Sequence, residues 1–222
     1  GVIEDYSNFS DQIFFHAWHS IGDYSAFDKL YIDYVKIDTL GSIESDQHSE
    51  DDELNYSMSF DGVDDRVDMG LGPDIYSSGQ LTIEAWVKPM EHRDGQMIVS
   101  KGSHVNLNYR SVQFMGPNNT GHWRSSIHTS DQAEIYVESE SIAEIGVWSH
   151  IALTYDGSKI KYYINGILED EISASGEIHY TGEPFFIGDQ KFIAFSNYTL
   201  NGQISEVRVW DTSLESSVIS SN

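Results

Sequence analysis

The sequence predicts an all-β fold of two packed antiparallel sheets, and three observations predict it. Apolar and polar residues alternate at strand period along most of the chain. Turn pairs that tolerate positive φ recur at short intervals. Helical periodicity is confined to a short tail near Leu214–Ile219.

The elements follow in order. Ile83, Ala85 and Val87 alternate with Thr82, Glu84 and Lys88, with Trp86 on the second face. Ile151, Leu153 and Tyr155 alternate with Ala152 and Thr154, and Ile204, Val207 and Val209 mark a further strand. Asp61-Gly62, Asp94-Gly95, Asp156-Gly157, Asn165-Gly166 and Asn201-Gly202 supply the turns. Residues 160–170 form a hairpin closed by Asn165-Gly166. Trp86, Trp148 and Trp210 are each expected on a strand, filling the space between two curved sheets. Phe60 and Val67 near the start should pair with the last strand, around Ile204 to Trp210.

Composition narrows the function. The 222 residues carry 12 Lys+Arg against 36 Asp+Glu, a formal net charge of −24, and no cysteine. At 39% hydrophobic and 13% aromatic, the chain has enough apolar surface to fold. No apolar run is long enough to cross a membrane as a helix. The charge repels a nucleic-acid backbone or an anionic membrane and invites hard cations, calcium first. The missing cysteines remove disulfides, thiol catalysis, iron–sulfur clusters and cysteine-based zinc sites. They do not fix the compartment.

Residues 44–54 hold six acids and no basic residue, and read as a solvated acidic linker. It divides an N-terminal β segment, 1–43, from a main domain, 55–222. The segment carries two strand-like runs, 13–18 and 29–37. Two strands alone are marginal. They pack on the main domain, are completed by another chain, or end an upstream domain. The chain starts at Gly1 without Met or a signal-like segment, so it is expected to be a processed protein or a piece of a longer one.

Seven pieces in order then resemble one family. They are Ser59–Val67, Leu81–Pro89, Ile98–Gly102, Trp148–Gly157, Tyr163–Gly166, Phe186–Gly188 and Leu200–Trp210. Together they resemble a laminin-G-like domain of the concanavalin A-like jelly-roll superfamily, over about residues 56–219. Asp28–Ile37 resembles the closing strand of extracellular jelly-roll modules. The resemblance implies a two-sheet antiparallel jelly-roll sandwich, an extracellular or cell-surface setting, and a binding module with its ligand in rim loops or on a sheet face.

Pentraxins share this architecture and place calcium ligands after the segments matching Phe186-Ile187-Gly188 and Ile98–Lys101. Carried over, these positions are Asp189 and Gln190, with Ser103, His104 and Asn106 facing them. Only Asp189 is an acid, where the pentraxins use several, so this site departs from the family pattern. A second calcium candidate comes from the residues themselves: Asp61, Asp64 and Asp65 around Gly62, opposed by the reading of a plain hairpin turn.

Sugar recognition needs an aromatic platform flanked by hydrogen-bonding groups. Asn106, Tyr109 and Arg110, followed by His122, Trp123 and Arg124, are the densest such cluster. Alternation places Trp123 opposite His122 and Arg124, so core packing competes with a platform role. Tyr198 stands in a second aromatic, polar stretch with Phe192, Phe195 and Asn197. Asn118-Asn119-Thr120 is one of four glycosylation sequons.

Catalytic patterns are missing. Glucanases of this fold carry a Glu-x-Asp-x-x-Glu run, and Glu138 and Glu140 lack the remaining acid. His16 and His19 would face opposite sides of a strand, and no Gly-x-Ser-x-Gly elbow occurs. The expected function is a non-catalytic module that binds a glycan or glycan-bearing surface, with Ca2+ as its candidate cofactor. The alternative is a structural subunit of an adhesin, sheath or filament that contacts copies of itself through the N-terminal strands. A glycoside hydrolase is the third. Nucleic acid and membrane insertion are not expected.

Overall fold

The computed structural model describes residues 29–31, 57–72, 74–102, 110–190 and 198–221. The first sheet has seven strands. Its path runs β1 (Lys29–Tyr31), β13 (Asn201–Trp210), β4 (Leu81–Pro89), β9 (Ser149–Tyr155), β10 (Lys159–Ile164) and β11 (Ile167–Ser173), while β2 (Met58–Asp61) also pairs with β13. The second runs β3 (Val67–Asp68), β12 (Phe185–Ile187), β5 (Met97–Gly102), β6 (Arg110–Pro117), β7 (His122–Ile127) and β8 (Ile135–Ile142). Every pairing within the two sheets is antiparallel. The predicted two-sheet sandwich is the observed one.

Period-2 alternation builds the core. Ile83, Ala85 and Val87 of β4 meet Val112 and Phe114 of β6, with Ile151, Leu153, Ile204, Val207 and Val209 in the same buried cluster. The hairpin at 160–170 forms as predicted. Asn165 and Gly166 take φ of 50° and 76°, and both central positions of that turn need positive φ. Asn165 Oδ1 also accepts the His150 N–H at 2.9 Å, tying the turn to β9.

The first and last strands pair as expected at Phe60, through β2 against residues 201–204 of β13, but Val67 pairs with Ile187 of β12 in the other sheet. The Asp61-Gly62 stretch is no hairpin corner, however. It carries the chain from β2 in one sheet to β3 in the other, where β3 pairs with β12. Beyond a bulge, at which Glu206 has φ of 51°, residues 208–210 of β13 pair with β1. The rest of the N-terminal segment, including the predicted 13–18 run, His16, His19 and the acidic linker, lies outside the described residues.

The tryptophans require a correction. Trp86 sits one position off the core-facing residues of β4 and packs against the His150 ring, centroids 5.4 Å apart, on the outer side of the seven-stranded sheet. Trp210 donates its Nε1–H to Glu84 on that side, at 3.2 Å. Trp148 precedes β9 and is half-buried. Among the described residues, Trp123 is the tryptophan that fills the core, at 1% exposure. Strand parity decides all of this, and one bulge suffices to reverse it.

Where the sheets end side by side, β11 caps the edge of β8. Asp170 accepts the Glu138 N–H at 3.1 Å, and Glu169 accepts those of Glu140 and Ser141 at 3.0 and 2.9 Å. Carboxylates thus satisfy donors that an edge strand otherwise offers to a neighbour. The short helix α1 (Ser216–Ile219) seats Ile219 with Ala152 and Tyr163, a small cluster separate from the main core.

Candidate functional site

The six-stranded sheet shows the opposite polarity on its outer face. Val112, Ile127, Ile135 and Val137 enter the core, so their strand neighbours point away from it. Register aligns those neighbours in one row across five strands: Phe186, Ser100, Gln113, Ser126 and Tyr136. Gln113 donates to Gln190 Oε1 at 3.2 Å and accepts from Ser126 Oγ at 3.5 Å. Ser100 Oγ donates to the Asp189 carbonyl at 2.8 Å. This half of the row is buried.

Toward β8 the row opens to solvent, and Tyr136 is 43% exposed. The Arg124 guanidinium lies 5.6 Å from the centre of its ring. Arg124 Nε and Nη2 donate to one oxygen of Glu138 at 2.9 and 2.6 Å, and Asn118 Nδ2 donates to the same oxygen at 3.2 Å. The Tyr136 hydroxyl donates to Glu134, which also receives Arg110. Burial, then the hydrogen bond to Glu134, pushes the Tyr136 hydroxyl up to about 12, so it stays protonated. A chain of polar contacts therefore runs Asn118–Glu138–Arg124–Tyr136–Glu134–Arg110.

Glu134 holds a φ of 59°, a conformation that a non-glycine residue adopts only when its surroundings fix it. The fixing contacts here are Arg110 and the Tyr136 hydroxyl. His128 Nε2 stands 4.0 Å from the same carboxylate. Burial pulls His128 down to about 4, so it is neutral at pH 7. The exposed Arg124–Glu138 pair adds little stability, since solvent screens it. Its effect is to hold two polar side chains in fixed geometry beside an accessible aromatic ring.

The sequence candidates divide clearly. Arg110 and Arg124 come together on this face through Glu134, Tyr136 and Glu138. His122 sits at the start of β7 and donates from Nδ1 to the Ser139 carbonyl at 2.9 Å. Trp123 points into the core, so its ring offers no platform in the folded domain. Tyr198 packs on Gly95, where a Cβ would come within 2.6 Å of its ring. Asn106 and Tyr109 lie outside the described residues, as do Ser103, His104, Phe192, Phe195 and Asn197. Tyr136 and Glu134 were not singled out by motif. The signal was present in Ile135-Tyr136-Val137-Glu138, where Tyr136 occupies the outward position between two core residues. Asn118 is buried, and its Oδ1 closes its own turn by accepting from Thr120 and His122 while its Nδ2 serves Glu138.

The two calcium candidates are linked through Arg66, which follows Asp65 and faces Asp189. Asp61, Asp64 and Asp65 each bring a carboxylate oxygen within 4.8 Å of the others, all three exposed. Asp65 also accepts the Asp61 N–H at 2.9 Å, and Asp61 that of Val63 at 2.8 Å, which closes the turn. Arg66 Nη1 lies 3.8 Å from Asp189, and Thr199 Oγ1 donates to the Val63 carbonyl at 3.1 Å. Asp189 is 6% exposed and its Oδ1 has no hydrogen-bond partner among the described residues. Burial pushes the Asp189 carboxyl up, and the charge of Asp64 adds to the push. Gln190 is 1% exposed and engaged with Gln113. The three carboxylates of Asp61, Asp64 and Asp65 are a hard-oxygen donor set that fits calcium, whereas Asp189 faces the Arg66 cation instead.

This fold has known relatives. The sequence model described as the concanavalin A-like lectin/glucanases superfamily matches residues 61–220, and the chain belongs to that family. The sandwich is similar to a native heptameric SAP-like pentraxin from Limulus polyphemus, at 18% identity and TM-score 0.55, over 76% of this chain and 82% of that one. It is similar to domain 4 of AbnA, a GH43 extracellular arabinanase from Geobacillus stearothermophilus, in complex with arabinotriose. There the identity is 19% and the TM-score 0.52, over 77% of this chain and 78% of the other. It also resembles the CBM40 of a Ruminococcus gnavus IT-sialidase bound to α2,3-sialyllactose, at 16% identity and TM-score 0.53, over 74% and 96% of the two chains. No curated protein matches at a significant level. The predicted concanavalin A-like jelly roll is thereby established.

Proposed function

We propose that this domain is a non-catalytic, extracellular carbohydrate-binding module whose site is the outer face of the six-stranded sheet. The observation that carries the reading is the exposed Tyr136 ring beside the fixed Arg124–Glu138–Asn118 group. An aromatic ring stacks on the apolar face of a sugar, while oriented charged groups bind its hydroxyls. Folds of the same class bound to arabinotriose and sialyllactose support it, as does the extracellular arabinanase. The non-catalytic reading draws on Glu138, which is engaged by Arg124 and Asn118 rather than opposed to a second acid across a cleft. A glycan array probed with the wild-type chain, with and without calcium, tests the reading. Binding to a defined glycan class is expected; a blank array in both conditions would refute it.

Calcium assists as a structural ion in this reading. Asp61, Asp64 and Asp65 would hold it, and the ion would supply positive charge that offsets their mutual repulsion and fixes the crossover loop. Saturating calcium should raise stability by about 1–3 kcal/mol. The gain should vanish in Asp64→Asn, read by thermal unfolding with and without chelator. An equal shift in both chains would remove calcium from this corner.

A second reading rests on β1, which adds Lys29–Tyr31 to the edge of β13. A strand added there from a second copy would join subunits of an adhesive assembly. Deleting residues 1–43 should then abolish any self-association seen by analytical ultracentrifugation. An unchanged profile would dismiss the idea.

A further inference from the structure

We propose that Tyr180, backed by Tyr76, forms a second aromatic subsite, and that the ligand is an extended oligosaccharide lying across both tyrosines. This deepens the glycan reading and rests on it.

Tyr180 is 70% exposed, more than Tyr136. Its ring meets Tyr76 edge to face, centroids 4.9 Å apart and planes at 61°. Tyr76 is itself anchored. Its hydroxyl lies 3.0 Å from Ser111 Oγ and accepts the Thr181 N–H at 3.3 Å, and the Lys101 ammonium sits 5.7 Å from its ring centre. The backbone on the other side of Tyr180 is pinned as well. The His179 N–H donates to His128 O at 2.8 Å, and the His179 carbonyl accepts from Ser111 Oγ at 2.6 Å. An aromatic side chain usually buries its ring, and one left exposed on a loop usually moves freely. Here both flanking residues are fixed and the ring alone is held out, which lowers the entropy cost of stacking a ligand on it.

The same contacts connect Tyr180 to the first site. His179 Nδ1 lies 3.0 Å from the Arg110 carbonyl and donates to it, which leaves Nε2 as an acceptor for a sugar hydroxyl. The Arg110 guanidinium binds Glu134, and Glu134 accepts the Tyr136 hydroxyl. The Arg110–Glu134 pair therefore links the elements that carry the two exposed tyrosines. Tyr136 sits in β8 opposite Ser126, and Tyr180 lies two residues past Ile178, which bridges Thr129 beyond the end of β7. Their backbones are therefore on the order of 10–15 Å apart, farther than one sugar ring spans. A single terminal sugar reaches one platform, and a chain of several sugars reaches both.

The test titrates wild type, Tyr180→Ala and Tyr136→Ala with linear oligosaccharides of arabinan, xylan and cellulose, from disaccharide to hexasaccharide, by calorimetry. Wild type should bind one series, about tenfold tighter at the long end than the short. Tyr180→Ala should keep the wild-type melting temperature and disaccharide affinity but lose that tenfold gain. Tyr136→Ala should weaken every length. A length dependence that survives in Tyr180→Ala overturns the subsite and leaves the glycan reading standing. Wild-type binding of none of the three series overturns the extended-chain proposal, and the array then decides the broader reading separately.

Discussion

Trp123→Ala should cost the domain about 3–5 kcal/mol, a large share of the about 5–15 kcal/mol that holds a domain of this kind folded. Trp123 is 1% exposed and packs in the cluster that joins the two sheets. Its removal leaves a cavity that a rigid sandwich cannot collapse into. Its backbone N–H donates to Ser139 Oγ at 2.9 Å, so the strand it anchors is also the strand that presents Arg124. Circular dichroism and chemical denaturation read the effect. A folded Trp123→Ala with near-wild-type stability would contradict the core placement and return the residue to the list of platforms. The distinction matters because loss of glycan binding in this variant follows from unfolding and says nothing about contact.

Acid should be the second large effect, and His128 is its main source. Burial holds this histidine down at about 4, while Glu134 acts in the opposite direction and Arg110 and His179 with the burial. The unfolded chain takes up the same proton near the ordinary histidine value, about 6.5. Between these two values the unfolded state binds more protons, so stability falls as pH falls. The full loss, about 3 kcal/mol, is reached below pH 4 and is absent above pH 6.5. His128→Gln should flatten the stability profile across that window, measured by denaturant midpoints at stepped pH. An unchanged slope would mean that His128 takes up its proton at the same pH in the folded and unfolded chain, so that burial does not hold it down. Because His128 faces the Glu134 that receives the Tyr136 hydroxyl, acid should disturb the binding face as well as the fold.

How far the sequence carries depends on what is local. The strands, the Asn165-Gly166 hairpin and the pairing of the first and last strands are set by alternation and turn chemistry, and they were readable. The direction of single side chains was less so. Trp86, Trp123 and Trp210 differ in whether they face core or outside, and bulges in β7–β8 and β13 shift the parity that assigns them. The calcium corner shows another limit. Asp189 and the Asp61–Asp65 turn are more than a hundred residues apart, and only the sheet crossover brings Arg66 to Asp189. Tyr136 and Tyr180 were passed over for a related reason. Motif reading favours dense polar clusters, whereas these tyrosines gain meaning from the groups that hold them in place.

The central claim is that the outer face at Tyr136 binds sugar, and one comparison tests it most directly. Wild type and Tyr136→Ala are matched for melting temperature and titrated with the glycan that wild type binds on the array. Binding should weaken at least tenfold, the worth of one stacked ring, while the melting temperature moves by little, because Tyr136 lies outside the core. Equal affinity in the two proteins would place the sugar elsewhere and contradict the assignment of this face.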